Sequence, residues 1–363
     1  MNQKSELLKD LVVLEFASVL AGPAVGMFFA ELGAKVIKVE NPTTGGDVTR
    51  SWKHSSENKA SKHSAYYHSV NYNKTIKFIN IKDRAYRSEL VELIRSSDIV
   101  LSNFRHSSAL NLEMDYEALK AIKPTLIYGQ ISAYGEDDNR PGFDALIQAE
   151  TGWMSMNGQA DGPPTKMPVA LIDILAAHQL KEGILVALLH RLRTGKGSKV
   201  SVSLYDTAIA SLANQASNFL NLKVVPQRKG SQHPNIAPYG DIFLSKDNKH
   251  ILLAIGSEKQ FQLLAKALQL PELARDSRFS TNKARVENRS ALNAELHGAM
   301  SNRDSEEIIE LATTYELPIG RIRDLSEVFS DSHSQRLILD QQEQDGSTSK
   351  RVQTVTFQLK IND

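Results

Sequence analysis

Asp173 has the surroundings that point most directly to chemistry. It stands between the apolar run Val169-Ala170-Leu171-Ile172 and an apolar stretch beginning at Ile174. A carboxylate in such surroundings is costly unless something uses it. At the head of a helix the dipole is expected to keep it ionised, and an ionised carboxylate is a nucleophile toward an activated acyl group. The same place suits an N-cap, because Asp accepts hydrogen bonds from the first free helical N–H groups. The third helical position would then be Ala176, so no capping box forms. Periodicity leaves both readings open. A second group is Ser102-Asn103-Phe104-Arg105, where Phe104 offers a face for stacking and Arg105 a guanidinium for phosphate. A plain solvated loop fits the same residues.

Other patterns exclude more than they offer. Glu40 closes a strand about where a ribose-binding carboxylate sits in dinucleotide folds. The turn over residues 18–26 lacks the G-x-G-x-x-G spacing, and Pro23 removes an N–H donor, which argues against a nicotinamide cofactor. Gly195-Lys196-Gly197-Ser198 lacks the opening glycine of a phosphate-binding loop and follows a helix where it should precede one. The ten histidines show no paired ligand spacing, and there are no cysteines, so no metal is expected and disulfides and thiolate chemistry are ruled out. A net charge of +1 over 363 residues argues against coating nucleic acid or an anionic membrane. The apolar stretch 11–30 has the length of a membrane span but is interrupted by Glu15, Gly22, Pro23 and Gly26. The expectation is a soluble, cytoplasmic chain.

The elements that must position these residues alternate. Residues 11–14 read as a strand, 24–32 as a helix after Pro23, and 35–40 as a strand of period two. Further along come a helix at 84–95, strands at 99–101 and 125–131, a long buried helix at 174–193 closed by Gly195, a strand at 200–204 and a helix at 205–220. Strands alternating with helices mean α/β layering around an open, mostly parallel sheet of Rossmann-like type. The texture changes after 225, where Pro226, Gly230, Pro234 and Pro238 suggest a linker. A hairpin over 242–255 and helices at 259–268, 291–300 and 305–315 make a smaller α+β domain, and the tail from 351 reads as a strand. The texture puts the end of the large domain at 221 and the start of the linker and small domain at 222.

Several ordered motifs then converge. Leu20-Ala21-Gly22-Pro23, residues 31–40 from Glu31-Leu32-Gly33 to Val39-Glu40, Gly46-Asp47-Val48-Thr49-Arg50, Asn73-Lys74, Asn103-Phe104 and Gly142-Phe143-Asp144 resemble the family III CoA-transferases, whose members include formyl-CoA transferase. Asp161-Gly162-Pro163-Pro164 through Asp173, residues 193–197, residues 233–239 and residues 276–289 extend the resemblance to about nine-tenths of the chain. The resemblance implies that Asp173 is the catalytic aspartate. It also places CoA, the thioester substrate, against Leu20, Ala21, Asn41, Lys74, Ile79, Asn80, Ile81, Lys82, Asn103, Phe104, Arg105, Gly142, Phe143 and Asp144. It implies an interlocked homodimer, no prosthetic group, and a large domain of 1–221 completed by 322–363 with the small domain, 222–321, between.

In the reaction so implied, CoA passes from an acyl-CoA donor to a small carboxylic acid through an anhydride on Asp173. Three departures stand out. Asn41 replaces an arginine, the region 232–240 is shorter and carries proline in place of a mobile glycine-rich loop, and relatives continue through a further C-terminal segment. A non-catalytic CoA-binding homologue is the alternative they raise. Racemase chemistry, which the superfamily also contains, needs an imidazole where this chain has Phe143, and a phenyl ring cannot trade a proton. The residues expected near the acyl group are Phe143, Trp153 and Met154.

Overall fold

A computed structural model describes residues 7–343 and 346–360. The chain divides into two compact units, one of residues 1–153, 166–224 and 333–363, the other of 154–165 and 225–332. Segment 154–165, which composition places with the large domain, and 322–332, which the resemblance places there, group with the smaller unit. Among the described residues no helix is long and apolar enough to cross a membrane.

In the first unit the elements run β1 (Val12–Glu15), α1 (Ala21–Glu31), β2 (Lys35–Glu40), a single turn α2 (Ala65–His68), β3 (Lys74–Phe78), α3 (Arg87–Ser96), β4 (Ile99–Ser102), α4 (His106–Asn111), α5 (Tyr116–Ile122) and β5 (Ile127–Ser132). Next come α6 (Asp144–Glu150), α7 (Trp153–Met156), whose residues after Trp153 belong to the second unit, α8 (Leu171–Thr194), β6 (Ser198–Ser203), α9 (Leu204–Ala210) and α10 (Ala213–Leu222). Six parallel strands lie in the order β3-β2-β1-β4-β5-β6. One core lies between α1, α8 and the sheet, around Val25, Phe29, Ile99, Ile127, Leu180 and Ile184. A second, around Leu14, Ile37, Leu90, Val100 and Tyr128, closes the other face.

Helices on both faces explain why β2 departs from the half-exposed strand its alternation predicts: every residue after Lys35 is buried. Lys38 is tolerated there because Glu15 (2.9 Å) and Asp47 (3.0 Å) hold its ammonium. Burial alone would lower its pKa, but these two carboxylates outweigh it and hold the lysine above its usual range. Gly26 is required beside this cluster, since a Cβ on α1 at that point would overlap Glu15 Oε2. The helix expected at 205–220 is broken into α9 and α10 at Ala213, whose φ is +48°. The described tail runs on past a hairpin of two strands, Ile338–Gln342 and Thr348–Val352. The N–H groups of Thr354 and Val355 then donate to Glu31 at 2.8 Å each, fastening the tail to the end of α1.

The second unit contains an antiparallel sheet, β7 (Tyr239–Leu244), β8 (His250–Ala254) and β9 (Ile319–Arg321), packed with helices Glu258–Ala267, Arg289–Ser301 and Ser305–Thr314. Its 233–239 segment is held by two arginines. Arg285 Nε donates to Ala237 O (2.8 Å), and Arg289 donates to Asp241 (2.9 Å) and His233 O (2.6 Å).

Candidate active site

In a parallel sheet of this strand order, the carboxyl edge between β1 and β4 is where neighbouring connections diverge and leave a crevice. Asn103, just past β4, ties the two turns together there. Its Oδ1 accepts from Ser18 N (3.2 Å) and its Nδ2 donates to Ser18 O (2.9 Å). The next residue, Val19, holds φ +73°, a costly angle for a β-branched side chain, and Asp47 Oδ2 accepts its N–H at 3.2 Å. The crevice encloses about 540 Å³ and brings together Leu20, Ala21, Asn103, Phe104, Arg105, Gly142, Phe143 and Asp173. A neighbouring hollow of about 230 Å³ holds Asn41, Ile79, Asn80, Ile81 and Lys82. Phe16, Ser18 and Phe104 line both, so the two are parts of one trough along the ends of the strands.

Asp173 is the third residue of α8, which begins at Leu171 with Ala170 at its N-cap and no side-chain cap. The N-cap reading of Asp173 is therefore overturned. The N–H of Ile172 is satisfied by Asp144 Oδ1 at 2.7 Å instead. Among the described residues nothing donates a hydrogen bond to the Asp173 carboxylate, although the residue is only 9 % exposed. Burial, with the Asp144 carboxylate adding to it, pushes its pKa up to about 7. Desolvation and a like charge thus oppose the ionised form that the helix dipole favours.

Two expected CoA contacts are placed elsewhere. Lys74 is fully buried, its Nζ bonded to Glu15 Oε1 and Oε2 (3.0 and 2.8 Å), Pro23 O (2.8 Å) and Asn71 Oδ1 (3.2 Å). It is a structural ion pair between β3 and β1, outside the trough. Asp144 is buried and spends its oxygens on Ile172 N and on Gln148 Nε2 (2.6 Å). Glu40 borders the trough, but Arg50 (2.6 and 2.9 Å) and the Tyr67 hydroxyl (2.9 Å) occupy its carboxylate, so no ribose role is open to it. Trp153 is packed against the core and its indole N–H donates to Ala208 O at 3.1 Å, while Met154 belongs to the second unit. Phe143, 64 % exposed, does line the trough with Asp173. Val48, Trp52, Glu136 and Arg140 also line it and went unnoticed in the sequence, where no spacing rule links loops so far apart.

One group of three, His63, His68 and Glu343, brings possible metal-ligand atoms within 4.8 Å of one another. His68 Nδ1 is 3.4 Å from Glu343, and the Arg351 guanidinium lies 3.7 Å from the same carboxylate. That cation already balances the glutamate, so the group is an ion-pair network.

A buried, unpartnered carboxyl opening into a trough at the switch point is suited to attack on an acyl group. Residues 8–363 match CoA-transferase family III. The chain belongs to that family. The family III CoA-transferases take CoA thioesters as substrates, and this chain is such an enzyme. It is 34 % identical to the succinate–glutarate CoA-transferase of Agrobacterium fabrum over 98 % of this chain and 90 % of that one. It is 35 % identical to the succinyl-CoA:glutarate CoA-transferase of Mus musculus over 90 % and 74 %. The crystal structure of a CaiB/BaiF family protein from Brucella suis superposes with a TM-score of 0.84 at 36 % identity, covering 97 % of this chain and 93 % of that one.

Proposed function

We propose that this CoA-transferase moves CoA from a short dicarboxylyl-CoA to a second small dicarboxylate, with Asp173 as the nucleophile. An Asp173 oxygen bonds to the thioester carbonyl carbon, the C–S bond breaks, and CoA leaves as thiolate with the electron pair. The thiolate then attacks the Asp173 carbonyl of the resulting anhydride and expels the donor acid, leaving an aspartyl-CoA thioester. An acceptor carboxylate attacks that thioester and releases thiolate again, which takes the acceptor acyl group and frees Asp173. No water, ATP or metal enters the balance, so the demand on the protein is to exclude water from the anhydride. The observation that carries the reading is the carboxyl of Asp173, 9 % exposed and without a donor, on the wall of a trough.

The nucleotide end of CoA lies along Asn41 and residues 79–82, Phe104 provides a stacking face, and Arg105 pairs with phosphate. The dicarboxylate class follows the relatives named for succinate and glutarate. We further infer that 1–221 with 322–363 forms the CoA-binding domain of a homodimer. Asp173→Asn is expected to lower succinyl-CoA:glutarate exchange by at least about a thousandfold. Wild-type protein mixed with succinyl-CoA and hydroxylamine should carry a hydroxamate on Asp173 by mass spectrometry. Retained turnover in the variant, or an unmodified peptide, would refute the assignment. CoA binding without exchange for any acid pair would make the protein a binding homologue.

A further inference from the structure

Three segments converge on Asp144. Its Oδ1 accepts the Ile172 N–H at 2.7 Å, pinning the first turn of α8 one residue before Asp173. Its Oδ2 takes Gln148 Nε2 at 2.6 Å, one turn along α6. Gln148 Oε1 in turn accepts the Met167 N–H at 2.9 Å, so the approach to α8 is fixed near both ends. Both side chains are buried, and neither borders the trough. The two hydrogen bonds do not by themselves require a charge, since a neutral oxygen satisfies a helical N–H equally well. Yet among the described residues no cation pairs with Asp144 or with Asp173. Two buried carboxylates without a counter-ion is an arrangement that costs folding energy.

We propose, on the reading of Asp173 as nucleophile, that Asp144 is its positioning residue: it aims the first turn of α8 through Ile172 and sets, one residue before the attacking side chain, a negative charge that no cation among the described residues pairs. The charge raises the ground state of ionised Asp173. That repulsion is relieved as the O–C bond forms and the electron pair departs on the CoA sulfur, because the anhydride left behind is neutral there. An interaction that is worse in the ground state than in the transition state accelerates the step. Asp144 itself exchanges no proton and makes no bond to substrate.

The other titratable groups around α8 are engaged elsewhere. Glu31 of α1 is held by Thr354 and Val355, Lys199 of β6 by Glu136, and Asp206 of α9 by Ser203. Lys181, further along α8, is buried with its ammonium over the Phe28 ring, and Tyr66 of α2 interacts electrostatically with Asp173 but as a neutral phenol contributes no charge near pH 7. Arg140 of the trough is paired with Asp138. Arg105 and His106 also line the trough, so each variant is compared with wild type at the same pH and the same salt.

Asp144→Asn keeps an oxygen for Ile172 and removes the charge, and its amide NH2 replaces the oxygen that accepts from Gln148 Nε2, so that one bond is lost with the charge. Release of CoA in a single turnover with succinyl-CoA, followed against pH, is expected to show a wild-type midpoint near 7. In Asp144→Asn the midpoint should fall by about one pH unit, the plateau rate should drop about tenfold, and KM for the thioester should stay constant. Asp144→Ala, which also frees the Ile172 N–H, should lose more of the plateau rate. A folded Asp144→Asn protein with the wild-type midpoint and plateau overturns the proposal. Should neither variant fold, a wild-type midpoint near 4 overturns it equally. Retained turnover in Asp173→Asn would instead remove the nucleophile reading itself. Loss there beside an unaltered Asp144→Asn profile would condemn only the positioning role.

Discussion

A carboxyl kept out of water and given no donor weakens the fold whenever it ionises, and Asp173 has that character. Its pKa stands near 7 in the folded chain against about 3.9 in an unfolded one. Between those values the native state binds more protons than the unfolded state. The contribution of this group is therefore fully present below the unfolded pKa and is lost as pH rises through the folded one. Asp173→Asn, neutral at every pH, is expected to be more stable than wild type at pH 8, on the order of 1 kcal/mol or more, and to lose that advantage near pH 4. Thermal melts at the two pH values check this. A variant no more stable at pH 8 would mean that Asp173 is solvated after all. The position was legible from its apolar flanks in the sequence. Its protonation was not, because burial in the fold and, second to it, the carboxylate of Asp144, 29 residues earlier, raise its pKa.

The strands show how little a conserved-looking motif says about which side of an element a residue serves. Lys74 opens β3 next to Asn73, and sequence resemblance gives it to CoA. Parallel pairing carries it beside β2 and under α1, where Glu15 and the Pro23 carbonyl take its ammonium. Burial, opposed by Glu15, lowers its pKa to about 8. Lys74→Ala leaves Glu15 with Lys38 alone and is expected to cost about 3–5 kcal/mol of stability while leaving CoA affinity of the folded protein unchanged. Lys82→Ala, on the wall of the trough, should do the reverse: weaker CoA binding and an unaltered melting temperature. Denaturant unfolding and calorimetric titration of CoA separate the two, and a loss of affinity in Lys74→Ala would return that residue to the site. The long helices and the strands at β1, β2, β4, β5 and β6 were visible as apolar periodicity. β3, with the polar pattern Lys74-Thr75-Ile76-Lys77-Phe78, was not, since an edge strand needs no apolar run.

At the scale of the molecule, Val186, Leu189 and Leu192 of α8 and Leu220 and Leu222 of α10 are exposed, apolar side chains of the kind a subunit contact would cover. With the proposed homodimer, light scattering should give twice the chain mass of 40.3 kDa. Leu192→Glu combined with Leu222→Glu should shift that toward the monomer, and a monomeric wild type would discard the dimer. What the sequence determined by itself was the α/β class, the smaller second region and a family resemblance carried by motifs in order. Those properties follow from local periodicity and residue type, which a chain displays without folding. What only the tertiary structure decided was which of the motif residues meet. Asn103 and Ser18 lie 85 positions apart, and Asp144 lies far from Ile172. Parallel pairing gathers the strand ends on one edge and sends Lys74 into the core, while burial rather than sequence position sets the charge of Asp173. Desolvation and strand register depend on the whole chain, so no window of sequence contains them.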